Sequence, residues 1–132
     1  SVFGAAGWAA TLPELASADD RAFAQACNDR LADYVPLWQR CDRLAILKPT
    51  DYRASLQWRQ QAERDRRSAT GSGLSDREIE QFVLYFWRSL HPRLFIEPLA
   101  AGSGQKGPEN TPQQPAHLVV TFDSDRQLQS VY

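Results

Sequence analysis

Strand-length apolar runs separated by helix-length amphipathic stretches predict an α/β layer fold with a mainly parallel sheet. Two runs carry the strands: Leu44-Ala45-Ile46-Leu47, closed by Lys48-Pro49, and Leu118-Val119-Val120-Thr121-Phe122, which is rich in β-branched residues. Between them Ile79, Phe82, Val83, Phe86 and Leu90 recur at i, i+3, i+4, i+7 and i+11, the period of an amphipathic helix.

Along the chain, Val2-Phe3 reads as the tail of a strand running into a glycine turn at Gly4 and Gly7. Ser17 is an N-cap, with Asp19 and Asp20 in the first turn that follows. Ala22, Phe23, Ala26 and Cys27 continue at helical spacing. Leu31, Tyr34, Leu37 and Trp38 extend the stripe, with Pro36 as a break or kink. Residues 44–47 then form a short buried strand. Thr50 or Asp51 caps a helix running to about Arg67. Its apolar residues are sparse (Tyr52, Leu56, Trp58, Ala62), whereas Arg53, Arg59, Arg64, Arg66 and Arg67 crowd it. A narrow buried stripe and a wide basic exposure follow.

Thr70-Gly71-Ser72-Gly73 ends that helix, as a stop or as a hinge. Ser75-Asp76-Arg77-Glu78 is a capping box that opens the next one. His91-Pro92 ends or kinks it, and Leu94, Phe95, Ile96 and Leu99 extend an apolar surface beyond. Residues 101–115 hold no large apolar side chain and read as a flexible loop. After strand 118–122, Asp123-Ser124-Asp125 makes a turn into a partner strand at 128–132.

A length of 132 residues suits one domain with one modest core. The net charge of -1 argues against a nucleic-acid or membrane-surface binder. No apolar stretch is long enough to span a membrane, and no signal peptide opens the chain. Two cysteines, Cys27 and Cys41, cannot build a disulfide framework; they read as small buried hydrophobes in a reducing cytoplasm. Two histidines without C-x-x-C or H-E-x-x-H argue against a metal site. His91 reads as a turn residue, and Trp58, Phe82, Phe86 and Trp87 as packing rather than a base-stacking platform. The chain has no Met, begins with Ser1 and runs at once into the apolar stretch Val2-Phe3-Gly4-Ala5-Ala6-Gly7-Trp8, which reads as an internal start within a longer protein or as a processed or engineered N-terminus.

The order of these segments resembles the C-terminal part of D-glycerate 3-kinase-like proteins, a branch of the P-loop kinases. The residues carrying the resemblance are Asn28-Asp29-Arg30-Leu31-Ala32-Asp33-Tyr34, Leu44-Ala45-Ile46-Leu47-Lys48-Pro49, Trp58-Arg59-Gln60-Gln61-Ala62-Glu63, Gly71-Ser72-Gly73-Leu74-Ser75-Asp76 and Phe82-Val83-Leu84-Tyr85-Phe86-Trp87. Gly7-Trp8 resembles the end of the family's Glu-Gly-Trp segment, with Ala6 in place of its Glu. The family's phosphate-binding loop, G-x-x-x-x-G-K-[ST], does not occur in the chain. Gly102-Ser103-Gly104-Gln105-Lys106-Gly107 has the wrong spacing and the wrong context.

The resemblance implies that residues 1–132 are the C-terminal portion of one kinase-like domain: part of a P-loop kinase-type parallel sheet flanked by helices, with a helical lid at about 51–74. The whole protein would transfer the γ-phosphoryl group of ATP, with Mg²⁺, to a hydroxyl of glycerate. Arg59, Arg64 and Arg67 would reach the phosphates from the lid, and Lys48 would lie beside the nucleotide. Against this stands the plain reading of Arg59 as an i,i+4 partner of Glu63 on a solvated face. Without its phosphate loop the chain alone is expected to be inactive. The rival reading is a degenerate kinase-like module that binds a partner or a nucleotide without turnover. A sheet lacking strands would expose edges and self-associate; the oligomeric state is left open.

Overall fold

The computed structural model describes residues 12–100 and 118–132. The readings of residues 2–8 and of the loop at 101–115 therefore lie outside the described residues. A single 3₁₀ turn at Pro13–Leu15 leads to Ser17, whose Oγ accepts from the Asp20 amide at 3.0 Å and starts helix α1 (Ala18–Arg30). The chain tightens into a 3₁₀ turn at Leu31–Tyr34 before the short helix α2 (Val35–Trp38). The break thus precedes Pro36, which sits in the first turn of α2, where its missing N–H costs nothing.

Strand β1 (Ala45–Pro49), helices α3 (Ala54–Thr70), α4 (Asp76–Ser89) and α5 (Pro92–Ala100), and strands β2 (Leu118–Phe122) and β3 (Leu128–Val131) complete the order. The result is a mixed α/β fold. Helix α3 starts later than the sequence suggests, because Asp51 turns back on the Arg53 amide at 2.9 Å instead of capping a helix directly. It also runs on to Thr70, ended by Gly71 in the left-handed conformation. The apolar surface beyond His91 is a helix: Pro92 stops α4 and, with its φ preset, opens α5.

The sheet has the order β1-β2-β3. β1 pairs with β2 in parallel, Ile46 beside Val119, and β2 pairs with β3 antiparallel, Val120 beside Val131. The sheet is therefore half parallel among the described strands, not mainly parallel. Asp123 shapes the hairpin turn, its Oδ1 accepting from the amides of Asp125 and Gln127, both at 2.9 Å.

The pleat sorts the side chains onto two faces. On one, Ile46 and Val119 pack with Ala100, Ile96 and Leu99 of α5. The other carries Leu47, Leu118, Val120, Phe122, Leu128 and Val131, with Leu47 69%, Leu128 65% and Val131 55% exposed. The run at 44–47 is thus buried on one side only. Trp58 of α3 covers one corner of this second face, its ring stacked on Phe122 at 5.5 Å and its Nε1 donating to the Ser124 carbonyl at 2.7 Å.

The helical layer has its own core. Ile79, Val83 and Trp87 of α4 are buried against Tyr52, Leu56 and Leu84. Phe82 and Phe86, expected to pack, lie on the exposed side of α4, as does Tyr85. Cys41 is exposed and Cys27 half-buried, so neither is a fully buried hydrophobe. Among the described residues no helix is long and apolar enough to cross a membrane.

Candidate functional site

The arginine face of α3 is organised by the turn that joins it to α4. Gly71 leaves the helix, and Gly73 passes so close to α3 that a Cβ there would lie 2.7 Å from Glu63 Oε1 and 2.8 Å from Arg67 Cγ. That approach lets Glu63, only 3% exposed, accept from the Leu74 amide at 3.0 Å. Its carboxylate also faces Arg66 at 3.4 Å and Arg59 at 3.8 Å. A buried carboxylate surrounded in this way repays its desolvation through several donors at once.

Asp76, in the first turn of α4, receives the other two arginines. Arg64 grips it with Nε and Nη2, the shortest contact being 2.7 Å, and Arg67 Nη2 adds a further bond at 3.1 Å. Arg67 also donates to the Leu74 carbonyl, and Gln60 donates to the Asp76 carbonyl at 3.3 Å. The hydrogen bonds from Arg64, then those from Arg67, hold the Asp76 carboxyl below its usual range. Ser75 and Glu78 complete the capping box, and the bond from the Ser75 amide lowers Glu78 in the same sense. Residues 60–67 of α3 and residues 71–76 are therefore two halves of one latch.

The three arginines singled out by the sequence thus differ in what they are free to do. Arg64 and Arg67 are engaged by Asp76. Arg59 is half exposed, holds Glu63 only at 3.8 Å, and lies over the Phe82 ring at 5.8 Å. Lys48 stands apart, on β1, with its Nζ 2.6 Å from Glu97 of α5. Residue spacing pointed to Glu63 as an i,i+4 partner of Arg59. It gave no sign that Asp76, 12 residues from Arg64, closes the latch.

A second polar cluster is buried where the Pro13–Leu15 turn meets the α4–α5 corner. Tyr52 donates to Glu14 Oε1 at 3.0 Å, and His91 Nε2 lies 3.2 Å from Glu14 Oε2. His91 Nδ1 accepts from the Arg93 amide at 3.2 Å. Among the described residues no group of three or more His, Cys, Asp or Glu side chains is arranged to hold a metal ion.

This architecture has a counterpart among solved structures. The chain superposes on D-glycerate 3-kinase from Cryptococcus neoformans var. grubii serotype A with a TM-score of 0.68, over 85% of this chain and 36% of that one, at 21% identity. The chain folds like a kinase. The resemblance carried by its sequence motifs is thereby found again in three dimensions. An uncharacterized kinase of Schizosaccharomyces pombe, mug58, is 34% identical over 59 residues, which make up 45% of this chain and 21% of that protein. The chain thus spans about a fifth of this curated relative and about a third of the kinase structure. No protein-family model matches the chain.

The kinase-type fold raises the question whether the residues here suit ATP and Mg²⁺. An exposed guanidinium such as Arg59 suits a phosphate oxygen. Among the described residues no group of three or more His, Cys, Asp or Glu side chains is placed to hold Mg²⁺. Nor does the chain hold the glycine-lysine loop that cradles phosphates.

Proposed function

We propose that the chain is the C-terminal portion of an ATP-dependent small-molecule kinase resembling D-glycerate 3-kinase, acting on a hydroxyl of glycerate or a closely similar acid in the cytoplasm. The observation that carries this reading is the superposition on D-glycerate 3-kinase across most of the chain. The partial identity to a second kinase supports it from sequence. Residues 1–132 would then be part of a single kinase-like domain, with residues 51–74 as a lid over the nucleotide. ATP would supply the transferred phosphoryl group and Mg²⁺ would offset its charge; among the described residues no group of three or more His, Cys, Asp or Glu is placed to hold the ion.

Within that reading the chain's own groups bind and shield. Arg59 contributes a permanent positive charge toward phosphate oxygens, the role for which its exposure and weak ion pair leave it free. Arg64 and Arg67 act on phosphate only after leaving Asp76; while bound to it, they fix the angle between α3 and α4. Lys48, at the C-terminal end of β1, lies where open α/β sheets gather their ligands. The test is the coding sequence upstream of Ser1. An in-frame strand followed by G-x-x-x-x-G-K-[ST] is the expected result. A start codon without that motif would replace the kinase with a non-catalytic module.

A further inference from the structure

We infer that Glu14, Tyr52 and His91 form a proton-sensitive clasp that holds residues 12–16 on the α4–α5 corner and opens when the His91 ring takes up a second proton. The three residues come from three separate parts of the chain, and the Glu14–His91 contact bridges 77 positions. His91 is 2% exposed. Its Nδ1 accepts from the Arg93 amide, so the single ring proton belongs on Nε2, which donates to Glu14. A second proton would sit on Nδ1 and face the Arg93 N–H, donor against donor. The bond that caps α5 would be lost, and a cation would be left in a buried site.

The surroundings favour the neutral ring. Burial, first, pushes His91 below its ordinary range, and Arg93 and Arg53 push the same way; the hydrogen bond and charge of Glu14 oppose them without prevailing. For Glu14, burial pushes upward, but bonds from its own amide, Tyr52 and His91 outweigh it, so the carboxylate persists as acceptor. Burial and the Glu14 bond raise Tyr52, keeping it a donor. The unfolded His91 therefore binds a proton at a higher pH than the folded one. The clasp's contribution is present above about pH 6.5 and is lost as pH falls below it.

What the clasp holds is small. Leu12 and Leu15 pack on Ala24 and Leu94, and Arg21 of α1 donates to the carbonyls of Leu15 and Ala16. Such a peripheral turn opens at lower cost than the α4 core.

Residue-resolved hydrogen exchange between pH 7.5 and 5.5, corrected for intrinsic rates, tests this. Protection at the Leu15 and Arg93 amides should fall severalfold as the pH drops, the direction set by the lowered His91 pKa, while Val83 in α4 stays protected. His91→Gln, which keeps a donor and an acceptor but cannot titrate, should abolish the difference. His117→Gln, at the chain's other histidine, should leave it intact. If His91→Gln fails to fold, ¹⁵N shifts of the wild-type ring decide: the Nε2–H tautomer should persist below the ordinary imidazole midpoint of 6.5. Unchanged protection across this range, or a ring that titrates normally with the amides still protected, would overturn the clasp.

Discussion

The α3–α4 latch and the three-stranded sheet are built on opposite plans. The latch is polar and closed: Glu63 and Asp76 each bind two arginines, and the backbone of the turn is bonded to α3. The sheet is apolar and open: one face packs on α5, while the other presents Leu47, Leu128 and Val131 to solvent. Sheets with parallel pairs are normally covered on both faces. The contrast teaches that the helical corner pairs its polar groups among the described residues, whereas the sheet leaves one apolar face exposed.

The largest expected effect probes this contrast directly. Ile79→Ala, at a site with no exposure, should cost about 2–5 kcal/mol in urea unfolding. Leu47→Ala should stay within about 0.5 kcal/mol and lower the binding of a hydrophobic dye. Comparable costs would mean that the open face is covered after all. Next comes Glu63→Ala, which strands the Leu74 amide and two arginines and should cost about 1–3 kcal/mol.

Gly73→Ala should cost about 1–3 kcal/mol, because its methyl group must displace Glu63 or Arg67. Gly71→Ala meets nothing within 4 Å and carries only the left-handed penalty, about 1–2 kcal/mol. The smallest effect is electrostatic. Asp76 titrates below its ordinary 3.8, so its contribution is present above about pH 4 and fades as pH falls further. Asp76→Asn should flatten that part of the stability profile. Because the pair is exposed, high salt should weaken the wild-type slope as well.

Local chemistry was readable wherever the partners lie within a few residues. Ser17 and the Ser75–Glu78 box start their helices as their sequence predicts. The β-branched run and Asp123 turn give β2 and its hairpin. Orientation was harder. The apolar arc on α4 is wider than the stripe it buries, and tertiary packing, against Tyr52 and Leu56 among others, selects Ile79, Val83 and Trp87 over Phe82 and Phe86. The run at 44–47 shows no alternation, because its uncovered face is as apolar as its covered one. At the candidate site the arginine-rich helix was visible, but Asp76 and the Glu14–His91 pair depend on contacts between distant positions, which no local pattern encodes.

The central claim is that these residues fold like part of a kinase and contain no phosphate-binding loop of their own. Titration of the 132-residue chain with MgATP, followed by D-glycerate and a readout of ADP, tests it most directly. The account predicts weak or no nucleotide binding and no ADP formed. Tight Mg²⁺-dependent binding, or phosphoryl transfer by this chain alone, would contradict it.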